Sequence, residues 1–353
     1  MKKLSVFFGI LFCYTSCTTK EEEGYTPVPY VLEIPALFQE KLIAPIIPSN
    51  NPLTVAGVAL GKKLFFETLL SGDNTQSCAS CHNPSQSFAE NQPFSEGIDG
   101  IFGPRNAMPL FNLAWNFNEQ LMWDGRELSI ERQAIQPVIN PIEMHSNWDE
   151  VLVKLAATTA YPSLFEHAFG DTSITQERVT KAIAQFERTL VSGNSKFDRH
   201  LLGTATLTTQ ELNGFNIFMD ETKGDCFHCH GSNNNPLWTD NGFHNNGLDA
   251  VATDLGLGAI SGDPADNAKF KTPSLRNLTF TAPYMHDGRF TTLEAVVNHY
   301  SEGLQNSPTI DSLMKKVAQG GVQLTPQEKA DLVAFLRTLS DPDFTNNPAF
   351  QNR

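Results

Sequence analysis

Cys78-Ala79-Ser80-Cys81-His82 decides how this chain is read. Two cysteines, two spacers and an adjacent histidine form the attachment signature of a c-type haem. Each thiol adds to one haem vinyl group, and the neighbouring imidazole reaches the iron as proximal ligand. The pattern returns as Cys226-Phe227-His228-Cys229-His230. A zinc site draws on the same residue types but seldom has histidine directly after the second cysteine, and a redox dithiol needs no histidine. His82 and His230 are therefore the expected proximal ligands, and two covalent c-type haems the expected cofactors.

Covalent haem attachment takes place outside the cytoplasm, so a leader is expected. Lys2 and Lys3 precede an apolar run, Leu4 to Phe12, too short to span a bilayer. Tyr14-Thr15-Ser16-Cys17 follows, then the polar stretch Thr18 to Glu23. Small residues before a cysteine, then a polar tether, resemble a lipoprotein signal, although Tyr14 stands where leucine is usual. The expectation is lipidation of Cys17 and a periplasmic or cell-envelope location, with membrane contact only through that anchor; plain cleavage of the leader is the alternative. No other segment is long and apolar enough to cross a membrane. The formal net charge of -14 argues against a nucleic-acid partner. It permits docking of a basic protein, and solubility alone would also explain it.

The chain between these landmarks reads as mainly α. Asn147, Thr175, Thr208 and Thr325 stand at helix starts, all but Thr175 with glutamate three residues on. Val179, Ile183, Phe186 and Leu190, and later Leu332, Phe335, Leu336 and Leu339, recur at helical spacing. An internal repeat matters more. Gly61-Lys62-Lys63-Leu64-Phe65-Phe66 before the first motif is echoed by Gly214-Phe215-Asn216-Ile217-Phe218-Met219 before the second. Downstream, Arg105-Asn106 and Met122-Trp123-Asp124-Gly125-Arg126 are echoed by Arg276-Asn277 and Met285-His286-Asp287-Gly288-Arg289. The expected architecture is two cytochrome c-like haem domains related by that repeat. It divides into a signal peptide (1–17), a proline-rich tether and wrap (18–52), haem domains at 53–200 and 201–342, and a tail (343–353).

Further motifs carry a resemblance. Leu64-Phe65-Phe66, Gly103-Pro104-Arg105-Asn106, Trp123-Asp124-Gly125-Arg126, Pro141-Ile142-Glu143-Met144, Phe197-Asp198-Arg199, Lys271-Thr272-Pro273-Ser274-Leu275-Arg276-Asn277 and Pro283-Tyr284-Met285-His286-Asp287-Gly288 stand in order around the two haem motifs. Over roughly residues 50 to 340 the chain resembles the bacterial di-haem cytochrome c peroxidase family, which includes MauG-like enzymes. The resemblance implies a peroxidatic haem on His82 and an electron-transfer haem on His230. It implies that Trp123 relays electrons between them, that Glu143 is the distal carboxylate and Gln133 the neighbouring amide. It also implies an inter-haem calcium ion held by Asn106 and the carbonyls of Thr281 and Pro283, oxygen ligands that suit a hard cation. Implied partners are hydrogen peroxide, a small electron donor such as a cytochrome c, and a second copy of the chain in a homodimer.

Two departures sharpen this. Where members that need reductive activation carry a distal histidine, this chain has Ile98, which cannot ligate iron. Where the electron-transfer haem has methionine, counting from Asp287-Gly288 reaches Tyr300; Met285 and His299 are the competing ligands. Aligning the two halves sets Pro137 opposite Tyr300, so the first haem lacks the ligand that the second has. The primary expectation is peroxide reduction at an open haem on His82, with Glu143 as general base and then acid. The alternatives are MauG-like oxidation of a partner protein or organic substrate through a high-valent di-haem state, and a non-catalytic electron carrier.

Overall fold

Threonine caps and glycines set the main helix pairs. The computed structural model describes residues 25–352, so Cys17 and its leader lie outside the described residues. Thr54 opens the helix Val55–Phe65 by accepting from Gly57 N, and Thr175 opens Gln176–Arg188 by accepting from Arg178 N. These two helices cross at Gly61, where an added Cβ would lie 1.8 Å from the Ala182 carbonyl oxygen. Only glycine allows main chain to come that close. Reciprocal Ser/Thr–Glu caps start Thr209–Met219 and Pro326–Arg337. They cross at Gly214, where a Cβ would lie 1.9 Å from the Asp331 carbonyl oxygen. Phe186 flanks the first crossing and Phe335 the second.

Each crossing carries its own apolar cluster. Leu60, Leu64 and Phe65 pack with Val179, Ile183 and Phe186, while Ile217 and Phe218 pack with Leu332, Phe335 and Leu336. Alanine at Gly61 or Gly214 forces the backbones apart. The expected cost is about 1–3 kcal/mol of stability, the usual range for overpacking, read as a lowered urea midpoint at unchanged slope.

The loops between helices are irregular but not arbitrary. Asn112 and Asn277 both adopt positive φ, 57° and 62°, ahead of a single tight turn. Met122 and Met285 do the same, at 68° and 72°, inside the paired bends Leu121↔Glu127 and Tyr284↔Phe290. Positive φ is uncommon for methionine and marks backbone held by its surroundings. Among the described residues the named strands are Phe243–His244 and Phe270–Lys271, paired antiparallel.

The proline-rich stretch does not hang free from residue 25 on. It contains the short helix Ala36–Lys41, which buries Phe38 edge-on to Trp115 at 5.3 Å. The segment after 342 is docked too: Phe344 is buried against Phe88, Phe111 and Phe350. Arg276 and Asp198 form a fully buried bidentate ion pair, 2.8 and 2.6 Å, and Arg276 also lies over the Phe38 ring. The neighbouring Asn277 side chain bonds Ser87, Ser192 and the Asp341 N–H. The two recurring Arg-Asn motifs thus do different work, because Arg105 pairs with Asp124 and Asp254 instead. No helix among the described residues is long and apolar enough to cross a membrane.

Candidate haem sites and the space between them

Ser77 and Ser80 cap the turn Cys78–Cys81, and His82 follows it. Its Nδ1 lies 2.9 Å from the Phe88 carbonyl oxygen, with Phe88 buried at positive φ. An Nδ1–H donated there leaves the Nε2 lone pair for a metal. Burial lowers the His82 pKa and keeps the ring neutral.

Glu143 lies near enough to Cys81 for its charge to act on that thiol. Its backbone oxygen accepts from Ile98 N at 2.9 Å, and the loop and turn touch at Gly97, where a Cβ would lie 1.7 Å from the Ile142 oxygen. Asn140 Nδ2 donates to Glu143 Oε1 at 2.6 Å. Burial pushes the Glu143 carboxyl up, against the Asn140 bond and the charge of Arg126. Burial, with the charges of Glu90 and Glu143, also pushes the Cys81 thiol up to about 12. Glu90 is a buried acid nearby, accepting from Ser95 Oγ and, at 2.8 Å, from Ala107 N. Gln133 ends the turn Ile130–Gln133, and among the described residues no hydrogen bond joins it to Glu143. Pro137 lies in the turn Gln136–Ile139 and accepts from Met144 N.

The second motif lines a cavity of about 260 Å³, together with Trp123, Met285 and Tyr300. Burial pulls His230 down to about 4, so its imidazole is neutral, and its Nδ1 makes no hydrogen bond. Tyr300 sits in a single π-helical turn, His299–Gly303, a deviation that often marks functional positions. Its hydroxyl accepts from Asn246 Nδ2 at 3.0 Å, and burial pushes its pKa up to about 12. Met285 Sδ lies 3.5 Å from the same amide. His299 is not in the wall; its Nε2 faces the Asn246 carbonyl at 3.4 Å. The three competing ligands thus separate into two that reach the cavity and one that does not.

These walls fit a c-type haem. Two thiols and a neutral imidazole meet on a cavity whose lining is mainly apolar, including Leu293, Val297 and Leu324. Burial pushes the Cys78 and Cys226 thiols well above the ordinary cysteine range. Among the described residues no group of three or more His, Cys, Asp or Glu side chains is arranged to hold a metal ion.

Trp123 borders this cavity from the other half of the sequence. Its indole N–H faces both Asn106 oxygens, main-chain and amide, at 3.1 Å. The Asn106 amide nitrogen donates to Met285 O at 2.9 Å and faces Pro283 O at 3.4 Å. A donor and not an oxygen meets those carbonyls, so a cation there would need the amide turned over. Thr281 and Pro283 line the same cavity. The spacing of residues gave no signal for Asn140, Asn246 or Glu90, and singled out Lys271 only as part of a motif, because each acts through contacts made only in the folded chain.

Residues 55–206 match the pattern of the family described as di-haem cytochrome c peroxidase. The chain is 42% identical over 299 residues to the methylamine utilization protein MauG of Methylorubrum extorquens, covering 83% of this chain and 80% of that one. It is 36% identical over 314 residues to the cytochrome c551 peroxidase of Nitrosomonas europaea, covering 86% and 84%. A solved MauG-like protein associated with microbial copper homeostasis superposes with a TM-score of 0.82 at 34% identity, covering 91% of this chain and 99% of that one. Such proteins carry two c-type haems and are oxidoreductases, and this chain belongs to the di-haem cytochrome c peroxidase family.

Proposed function

We propose that this protein reduces hydrogen peroxide to water at the haem on His82, with electrons drawn through the haem on His230 from a small cytochrome or similar donor. The observation that carries the reading is a half-buried carboxylate, Glu143, whose backbone oxygen accepts from Ile98 N, a position that offers the iron no rival ligand. A haem bound at His82 supplies an iron that binds peroxide and takes its oxidising equivalents. Glu143 removes the proton from the near peroxide oxygen and returns it to the departing one. Asn140 holds the carboxylate in place for that exchange. Gln133 orients the peroxide, and Trp123 relays the electron between the two halves.

The same reading divides the chain into two haem domains related by the repeat, a division supported by the matched crossings at Gly61 and Gly214. It places the protein on the exported side, anchored through Cys17. Calcium at Asn106, Thr281 and Pro283 belongs to the reading as well, with no proton step depending on it.

A second reading, oxidation of a partner protein or organic substrate, is favoured by Tyr300. Its phenol lines the cavity and accepts from Asn246; as tyrosinate on the haem iron it would stabilise the oxidised state, where methionine would raise the potential.

Electron paramagnetic resonance of the resting ferric protein tests both. One high-spin five-coordinate haem and one low-spin haem without methionine ligation are expected. Two low-spin signals would remove the open site. Tyr300→Phe is expected to abolish the original low-spin signal; an unchanged signal would exclude Tyr300 as the ligand. Steady-state turnover of peroxide with reduced cytochrome c separates the two activities, since negligible turnover would leave only the second.

A further inference from the structure

Lys271 is buried, with 6% of its surface exposed, yet no carboxylate pairs with it among the described residues. Its Nζ meets two neutral oxygens, Asn116 Oδ1 and Asn241 O, each at 3.2 Å, and lies 5.8 Å over the Phe243 ring. The Asn116 oxygen is turned toward it because the amide nitrogen is spent on Gln120 O. Asp240 is the nearby acid, but its carboxylate is committed. It bonds His244 at 2.8 Å and the Gly242 N–H at 2.7 Å. His244 lies between Asp240 and Asp311, at 2.8 and 2.6 Å, so the Asp240 carboxylate already has its partner. Burial meanwhile pulls the Lys271 ammonium down to about 8, against the charge of Asp240.

Buried lysines are rarely left without an anion, because desolvating an ammonium is costly. Two features say where the anion comes from. Lys271 lines the same cavity as Cys226, Cys229 and His230, and also the adjoining smaller cavity bordered by Met108 and Asn112. Its backbone is pinned between the two halves, with its N–H on the Trp123 carbonyl at 2.9 Å and its strand paired with Phe243. A haem carries two propionate carboxylates. An ammonium with a donor to spare, in the wall of a haem cavity, is suited to one of them.

We propose that Lys271 binds a carboxylate of the haem seated on Cys226, Cys229 and His230, and acts as a positioning residue that sets that haem's potential. The inference rests on the di-haem reading. A cation at the rim stabilises the reduced, less positive haem, so it offsets the opposite pull of an anionic Tyr300. Lys271 therefore tunes how readily the second haem gives up an electron next to Trp123.

The test is a spectroelectrochemical titration of the full haem-loaded protein, with haem per chain counted first by the pyridine haemochrome spectrum. Lys271→Met and Lys271→Gln are expected to shift the reduction equilibrium of the low-spin haem at least tenfold toward the oxidised form, 59 mV for one electron. Lys271→Arg is expected to stay near the parent value. Parent-like midpoints in the fully loaded neutral variants overturn the proposal. Should both neutral variants fail to load while Lys271→Arg loads, the need for a cation is upheld; failure of all three makes the position a matter of packing and overturns it. A parent protein with fewer than two haems per chain would instead refute the di-haem reading itself.

Discussion

Glu143→Gln lowers kcat/KM for peroxide by about 100- to 10 000-fold, the usual contribution of a positioned general acid–base group. The substitution is close to isosteric. Glutamine keeps an Oε1 that accepts from Asn140, so the bond seen at 2.6 Å survives and only the proton chemistry is lost. Haem content and the resting spectrum should therefore match the parent. The pH profile gives a second reading. Burial, opposed by Asn140 and Arg126, raises the pKa of this carboxyl in the folded protein. Its basic form is the one that accepts the first proton, so kcat/KM falls as pH drops through that raised value. The acid limb should lie above that of an ordinary glutamate, near 4.3, and should vanish in the variant. A retained limb, or a loss below about fivefold, would assign the proton transfer elsewhere, with Glu90 the next acid to replace.

The largest expected effect on stability comes from a motif residue far from any proton transfer. Asp198→Ala leaves the Arg276 guanidinium buried with its counter-charge gone. Breaking such a pair from one side costs about 3–5 kcal/mol. Both side chains are at most 1% exposed, so solvent screening does not soften the loss. Burial alone would raise the Asp198 pKa, but the Arg276 charge and the bonds from Arg276 and Ser195 outweigh it and hold it below the usual range. A depressed folded-state pKa stabilises the protein above the unfolded value, near 3.9, and that support is lost as pH falls through the folded one. The variant should thus fall furthest below the parent near neutral pH and converge with it in acid, as read by urea midpoints. Asp198→Leu with Arg276→Met should lose less than Asp198→Ala alone, because no unpaired charge is left inside.

Much of the site could be read directly from residue order. Covalent chemistry demands the Cys-x-x-Cys-His spacing, so the two attachment points needed no structure. Capping needs only local side chains, and Asn147, Thr175, Thr208 and Thr325 indeed open helices. Gly61 and Gly214 were visible as repeat partners, but not as the points where two backbones touch. That depends on which helix packs against which, and helical periodicity does not specify a partner. The stretches set apart as tether and tail also read differently once folded, since Phe38 and Phe344 find apolar neighbours far away in sequence.

Cys78 to His82 and Cys226 to His230 were legible in the sequence alone, and so was the expectation that the two haems differ, because isoleucine and proline have no side-chain atom that binds iron. Only the tertiary structure decided what surrounds each motif. It brought the Ile98 backbone to Glu143, took His299 out of the cavity wall, and kept Tyr300 and Met285 in it. It also left Lys271 buried between two neutral oxygens while Asp240 turned to His244. The physical reason is the same throughout. Bonding capacity belongs to the residue type, whereas burial, and the charge or hydrogen bond that answers it, belongs to neighbours that the chain acquires only on folding.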